Sequence, residues 1–152
     1  ETEIALPRSM KDALARLDPA FVPWSENDRR RMGERVRGPS VITGDFDGDL
    51  LQDVALLGRS GADQVVIALL SNLGAVTARE VVWRKVRIGT GESRSRADPK
   101  EIPPVYLESV PRGTVNSFCW VVGPTDAIGI VQPGLARFDY VFQENHFVLG
   151  SP

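Results

Sequence analysis

The residues of this chain best suited to chemistry are four closely spaced acids. They are Asp45, Asp47, Asp49 and Asp53, at relative positions 1, 3, 5 and 9. Odd spacing around a tight turn points successive carboxylates at one centre, and a hard cation such as Ca²⁺ binds six to eight oxygens at about 2.3–2.6 Å. Without an ion, two carboxylates about 5 Å apart repel by roughly 3 kcal/mol at an effective dielectric of about 20. The spacing therefore predicts a cation site, with calcium as the ion.

The flanking sequence favours a hairpin over a helix-loop-helix site. An EF-hand loop needs glycine at its sixth position and glutamate at its twelfth, where this chain has Leu50 and Leu56. Short β-rich runs lie on both sides of the loop, over residues 40–43 and 54–57. On this strand-loop-strand geometry the four aspartate side chains are joined by the carbonyl of Leu51, and water completes the shell.

An ordinary hairpin turn is the alternative interpretation of the same residues. Aspartate side chains hydrogen-bond their own backbone, and a glycine such as Gly48 takes the positive φ that a sharp bend requires. A turn of this kind needs only one or two aspartates. Four aspartates in register favour the cation site.

The loop and its second strand resemble a known calcium-loop signature. Residues 44–49 read GDFDGD and residues 53–57 read DVALL, which is similar to the GDFDGDGxxDxAxL signature of FG-GAP and VCBS-type repeats. These repeats are the calcium-loop hairpins of integrin α-chain propellers and of many exported bacterial proteins. The match covers residues 41–58, and Leu50 stands where the family usually has glycine. The resemblance implies a structural calcium loop on a binding scaffold rather than a catalytic site.

Composition excludes several classes of protein. At 152 residues, with 42% hydrophobic and 25% charged residues, the chain suits one globular domain with its own core. A net charge of -2 gives no electrostatic reason to bind nucleic acid, and no apolar run is long enough to predict a membrane span. The single cysteine, Cys119, excludes an internal disulfide. It lies in the apolar run 117–122, which predicts a buried strand.

The expected compartment follows from the calcium loop and the start of the chain. The sequence begins at Glu1 without an initiator methionine or a signal segment, as in a mature exported protein or in a chain trimmed at its start. A loop of this kind, with an affinity near the roughly 10⁻⁴–10⁻³ M of extracellular modules, fills where free calcium is high. We therefore expect the periplasm or the cell exterior.

Residues 1–38 are predicted to be a helical segment that packs on the rest of the domain. The first helix runs over residues 10–17, with Ser9 as its N-cap and apolar residues at i, i+3, i+4 and i+7. The second helix follows Ser25 and reaches Met32.

Residues 39–152 are predicted to be a β region that contains the calcium loop 45–53. Short apolar runs separated by turn residues predict antiparallel hairpins. The whole chain, residues 1–152, is therefore expected to be one mainly β domain with short N-terminal helices, arranged as a sandwich or as a propeller-like stack. Beyond the loop hairpin, the runs cover residues 65–70, 81–86, 105–107, 118–122, 128–131, 138–142 and 147–149.

A polar loop over residues 89–99 is where we expect a partner to bind. Loops on a rigid β scaffold commonly carry recognition, and this loop holds two arginines, Arg94 and Arg96, without an apolar anchor. These arginines are the candidate partner-binding residues. A loop without any binding role is the alternative.

The expected function is binding of another protein without catalysis. His146, the only histidine, lies in a turn without the cysteine or carboxylate pattern of a zinc site or triad, and a bound cation would prevent the loop aspartates from acting as acid or base. By analogy with small exported bacterial proteins, the partner would be a cell-wall hydrolase and this chain its inhibitor or immunity protein. The alternative is a carbohydrate-binding or hydrolase-associated domain, which would recognise a glycan by stacking on Trp24, Trp83, Trp120 and Tyr140.

Overall fold

A computed structural model describes residues 6–31, 38–61, 63–87, 105–115, 119, 121–134 and 136–150, with the backbone alone for residues 82–87. Arg94, Arg96 and Trp120 lie outside the described residues, as does the side chain of Trp83. Within the described part the chain forms two helices, α1 (Arg8–Leu17) and α2 (Glu26–Arg31). The strands are β1 (Phe21–Pro23), β2 (Val41–Gly44), β3 (Asp53–Ser60), β4 (Asp63–Asn72), β5 (Ala75–Arg87), β6 (Tyr106–Val110), β7 (Ala127–Gln132), β8 (Ala136–Gln143) and β9 (His146–Leu149).

The strands form two antiparallel sheets. The first has the order β1-β3-β4-β5, with β2 also paired to β3, and the second is the meander β6-β7-β8-β9. The prediction of a mainly β fold built from antiparallel hairpins with short helices is therefore confirmed. Because residues of both sheets share one buried core, the arrangement is a sandwich rather than a propeller-like stack.

Strand β4 packs against apolar residues on both faces of the first sheet. Alternate residues of a strand point to opposite faces of the sheet. One set packs into the core between the sheets, and the other packs under α1. Both faces are covered, so the strand reads as a continuous apolar run, Val65–Leu70, rather than an alternating one. The first set is Val66, Ala68 and Leu70, and the second is Val65, Ile67 and Leu69.

Helix α1 covers the outer face of the first sheet. Its buried residues are Met10, Ala13 and Leu14, as the apolar spacing predicts, whereas Leu17, the i+7 residue of that spacing, is exposed. The predicted N-cap is wrong: the helix starts at Arg8 and Pro7 is the capping position, without a side-chain cap. Proline is tolerated at the start of a helix, where a backbone N–H has no helical acceptor. The helix can therefore begin before Ser9.

Helix α2 has the cap that the sequence predicts. The Ser25 hydroxyl accepts from the N–H of Asp28 at 3.0 Å, and the Asp28 carboxylate accepts from the N–H of Ser25 at 3.1 Å. This reciprocal pair is a capping box with aspartate in place of glutamate. Arg29 then fixes the helix to the body of the protein by donating to the carbonyls of Val105, at 2.8 Å, and of Gly38.

The burial of Trp24, Tyr140 and Cys119 tests the environments predicted for these residues. Trp24 is buried and donates its Nε1–H to the buried side chain of Gln64 at 3.1 Å, and Tyr140 lies in the main core. Cys119 itself is exposed, has φ of 60° and belongs to no strand, so the prediction of a buried strand residue is wrong at this position. Val115 and Val121 form an isolated antiparallel bridge.

Neither helix of the described part is long and apolar enough to cross a membrane.

Candidate metal site

The four aspartates lie at the hairpin turn between β2 and β3. The two strands pair antiparallel, with Gly44 opposite Asp53 and Thr43 opposite Val54. Asp53 is thus the first residue of β3, and the other three aspartates lie in the loop before it. The predicted strand-loop-strand geometry is confirmed for this segment.

The loop brings the four carboxylates together. Each aspartate offers one carboxylate oxygen, and the four oxygens all lie within 4.8 Å of one another. Asp53 is fully buried and Asp49 is exposed, while the other two lie between these extremes. Oxygens at this separation can share one ion, since a cation with ligands at about 2.4 Å places opposite ligands roughly 4.8 Å apart. The cluster can therefore hold a metal ion.

Backbone N–H groups hold the carboxylates of Asp45, Asp47 and Asp49 in place. Each bond runs from an N–H two to five residues further along the chain, so the loop wraps around its own acids. The pairs are Gly48 to Asp45 Oδ1 (2.9 Å), Leu50 to Asp45 Oδ2 (3.1 Å), Asp49 to Asp47 Oδ1 (3.3 Å) and Leu51 to Asp49 Oδ1 (2.9 Å). Leu51 lies within this wrapped segment, and coordination by its carbonyl stays a prediction.

Asp53 is fixed from both sides. Its Oδ2 accepts from the N–H of Phe46 at 2.9 Å, and its Oδ1 accepts from the N–H of Ser71 at 2.9 Å. Phe46 is fully buried in the main core, so the residue after the first aspartate anchors the loop to the sandwich. The cluster of four carboxylates thus has one buried member that is fixed by two backbone donors.

Two residues of the loop have left-handed backbone. Gly48 has φ of 84° and Leu50 has φ of 67°. A Cβ on Gly48 would also lie 3.0 Å from the methyl group of Thr125. The bend at Gly48 is as predicted. Leu50, at the position where the FG-GAP signature has glycine, adopts a conformation that disfavours side chains.

The connection between β6 and β7 of the second sheet brings two charged residues to the loop. Asp45 and Asp126 form a reciprocal pair: the N–H of Asp45 donates to Asp126 Oδ2, and the N–H of Asp126 donates to the carbonyl of Asp45, both at 3.0 Å. Arg112 forms ion pairs with both carboxylates. The first aspartate of the loop is therefore held by both sheets.

The pKa values of the clustered aspartates shift in different directions. Burial, with the neighbouring carboxylates of Asp49 and Asp53, raises the pKa of Asp47 to about 7. Burial also raises the pKa of Asp53, against the lowering effect of its two backbone donors. At Asp45 burial is outweighed by Arg112 and the N–H groups of the loop, so its pKa lies below the usual range.

Sequence reasoning missed Arg112, Thr125 and Asp126. They are 67 to 81 residues beyond Asp45, and their approach to the loop depends on how the sheets pack. Thr125 is the one residue in the described part with a buried side-chain oxygen that lacks a hydrogen-bond partner. A Pro-Thr-Asp turn before a strand gives no local signal for contact with a distant acidic loop.

No known family model matches this chain, and comparisons with curated proteins and with solved structures found no match.

Proposed function

We propose that the protein is an exported calcium-binding β domain in which residues 45–53 hold one structural calcium ion, and that it acts by binding another protein. The observation that carries the proposal is the convergence of four carboxylate oxygens within 4.8 Å on one hairpin loop. The resemblance of this loop to FG-GAP and VCBS-type calcium hairpins supports the same conclusion.

The chemistry of the donors favours calcium among the common ions. Zinc and other transition metals are usually held by nitrogen and sulfur ligands, whereas this cluster offers carboxylate oxygens alone. The chain's only histidine, His146, is exposed in another hairpin, where its Nδ1 lies 3.0 Å from the carbonyl of Glu144. Magnesium demands tight octahedral geometry and keeps its waters. An adaptable loop of acidic residues suits the larger ion.

A structural role fits the surroundings of the cluster better than a catalytic one. Asp53 is buried with both oxygens bonded to backbone N–H groups, and Asp45 is paired with Arg112. Carboxylates that are bonded to backbone N–H groups or to arginine, and that also bind an ion, are poor general acids or bases. This supports a non-catalytic scaffold.

The partner and the compartment follow from the kind of loop. Weak calcium modules are filled in the periplasm or outside the cell, where free calcium is high. We propose another protein as the partner, a cell-wall hydrolase inhibited by this chain, with Arg94 and Arg96 as its contact residues. The alternative glycan-binding function loses two of its four candidate stacking residues, because Trp24 and Tyr140 are buried.

Thermal melts in calcium and in chelator test the ion. At a free concentration about 100 times its dissociation constant, a ligand stabilises the folded state by roughly 2.7 kcal/mol, which shifts the melt of a domain of this size by several degrees. We expect that shift, a calorimetric titration with one site, and a much smaller effect of magnesium. Asp47→Asn should abolish both signals.

The matched control for the calcium test is Asp12→Asn, which removes one carboxylate from the exposed face of α1. It should bind calcium as the parent does. Identical melts in calcium and chelator, together with no heat on titration, would refute the ion. Capture with the immobilised protein, in calcium and in chelator, then identifies the partner, and recovery of a glycan instead of a protein would favour the alternative.

A further inference from the structure

Arg112 lies across the first aspartate of the cluster. Its Nη2 pairs with Asp45 Oδ2, while its Nε lies 3.4 Å from Asp126 Oδ1 and its backbone N–H donates to the same oxygen at 2.9 Å. The Arg112 side chain is 39% exposed. It is therefore a surface cation with two carboxylate partners, of which only one belongs to the loop.

The acceptor capacity of Asp45 limits what else can bind there. A carboxylate oxygen has about two lone-pair sites. Asp45 Oδ2 already accepts from the N–H of Leu50 at 3.1 Å and from Arg112, and Oδ1 accepts from the N–H of Gly48 at 2.9 Å. Oδ1 keeps one acceptor site, but a cation that takes Oδ2, alone or together with Oδ1, must replace one of the two donors on Oδ2. The backbone donor is fixed by the turn, so Arg112 is the donor that can leave.

Repulsion gives a second reason for Arg112 to leave Asp45. A divalent cation and a guanidinium on one carboxylate repel each other at short range. Asp126 offers Arg112 an acceptor outside the cluster of four, and its hydrogen bond from the backbone of Arg112 keeps that acceptor in reach.

We infer that Arg112 is the internal counter-ion of the loop: it neutralises Asp45 in the metal-free protein and gives up that contact to Asp126 when a divalent cation binds. This inference rests on the proposed calcium site and names what regulates its affinity. Arg112 is a positioning residue, since it acts through Asp45. It stabilises the loop without the ion and weakens binding of the ion.

Calcium titration and melts of Arg112→Gln test the inference. With the competing cation removed, calcium should bind about tenfold more tightly at low salt. The melt in chelator should fall, because the loop loses its counter-ion, while the melt in saturating calcium should stay within a degree or so of the parent. Arg112→Lys keeps the charge but cannot bridge two carboxylates. Its calcium affinity and its melt in chelator should lie between those of the parent and of Arg112→Gln.

Arg8→Gln is the matched control, since it removes the same charge from a side chain that is 94% exposed on α1. It should change neither affinity nor melt. A structure of the calcium-loaded protein gives the direct readout: Arg112 should contact Asp126 and not Asp45.

The outcomes separate this inference from the proposed function. If the parent binds calcium and Arg112→Gln binds it no more tightly, with both melts lowered equally, Arg112 is a permanent brace and the inference is wrong while the calcium site stands. If Arg112→Gln binds calcium and the parent does not, the inference is upheld and the proposed function of the parent fails. If neither binds, both are overturned.

Discussion

Asp47 and Asp53 lie partly or fully away from water among other carboxylates, and both have raised pKa values. The pKa of Asp47 is about 7, compared with 3.8 for an ordinary aspartate. Between these pH values the folded metal-free protein holds a proton on Asp47 that the unfolded chain has lost. Its stability therefore falls as pH rises through this window. Asp45, whose pKa is lowered, makes a contribution of opposite sign that is lost only at lower pH.

Calcium binding should release this proton, so we expect affinity to depend strongly on pH. Because the ion needs Asp47 ionised, the dissociation constant should rise at least about tenfold between pH 7.5 and pH 5.5. Titration calorimetry in two buffers of different ionisation enthalpy measures both the affinity and the number of protons released. Equal affinities at the two pH values, with no buffer dependence, would show that Asp47 is ionised in the metal-free protein.

Leu50 is the residue at which this loop departs from the signature it resembles. Its φ of 67° costs a non-glycine residue roughly 1–2 kcal/mol, and its side chain is 81% exposed, so little packing offsets that cost. Leu50→Gly should raise the free energy of unfolding by about 0.5–1 kcal/mol, after the larger entropy loss of glycine is deducted.

Leu50→Ala is the matched control, because it removes the same side chain but keeps the Cβ. Chemical denaturation in calcium and in chelator measures both variants. We expect the free energy of unfolding to rise in Leu50→Gly and not in Leu50→Ala. A loss of stability in both would mean that the leucine side chain itself stabilises the loop.

At the scale of elements, strand β1 depends on a single glycine of β3. Gly58 lies opposite Pro23, and a Cβ on it would lie 2.3 Å from the carbonyl oxygen of Val22 and 2.8 Å from Cα of Pro23. Both are backbone atoms, which cannot rotate away. The close approach lets Phe21 and Trp24 reach their buried positions.

Gly58→Ala should therefore destabilise the protein by about 2 kcal/mol or more, as overpacking against a backbone does. Gly123→Ala is the control, since an added Cβ there meets no atom within 4 Å. Calcium affinity should be unchanged in both variants, because Asp53 is at the opposite end of β3. Wild-type stability of Gly58→Ala would show that β1 can shift at no cost.

The elements that could be predicted from sequence are those with a local cause. The hairpin around residues 45–53 was readable because β-rich runs flank turn residues, and α2 because Ser25 and Asp28 form a cap. The environment of Cys119 was predicted wrongly because an apolar run does not show which of its residues is exposed. The contact between Arg112 and Asp45 spans 67 residues, and no local pattern encodes such a distance.

At the scale of the whole molecule, the loop connects the first sheet to the second. Its first aspartate is bonded through its backbone to Asp126, which immediately precedes β7 in the second sheet. Its last aspartate begins β3 in the first sheet, and Phe46 between them enters the shared core. An ion that orders this loop therefore restrains both sheets at once.

We expect calcium to protect amides in both sheets from hydrogen exchange. Protection should rise in β2 and β3, which flank the loop, and also in β7 and its neighbour β6, because the reciprocal bonds between Asp45 and Asp126 transmit the restraint. Asp126→Ala removes the side-chain half of that connection. In this variant calcium should still protect β2 and β3, while the gain in the second sheet shrinks. If β6 and β7 gain nothing from calcium even in the parent, the ion stabilises only its own hairpin, and the sheets are held together by their shared apolar core alone.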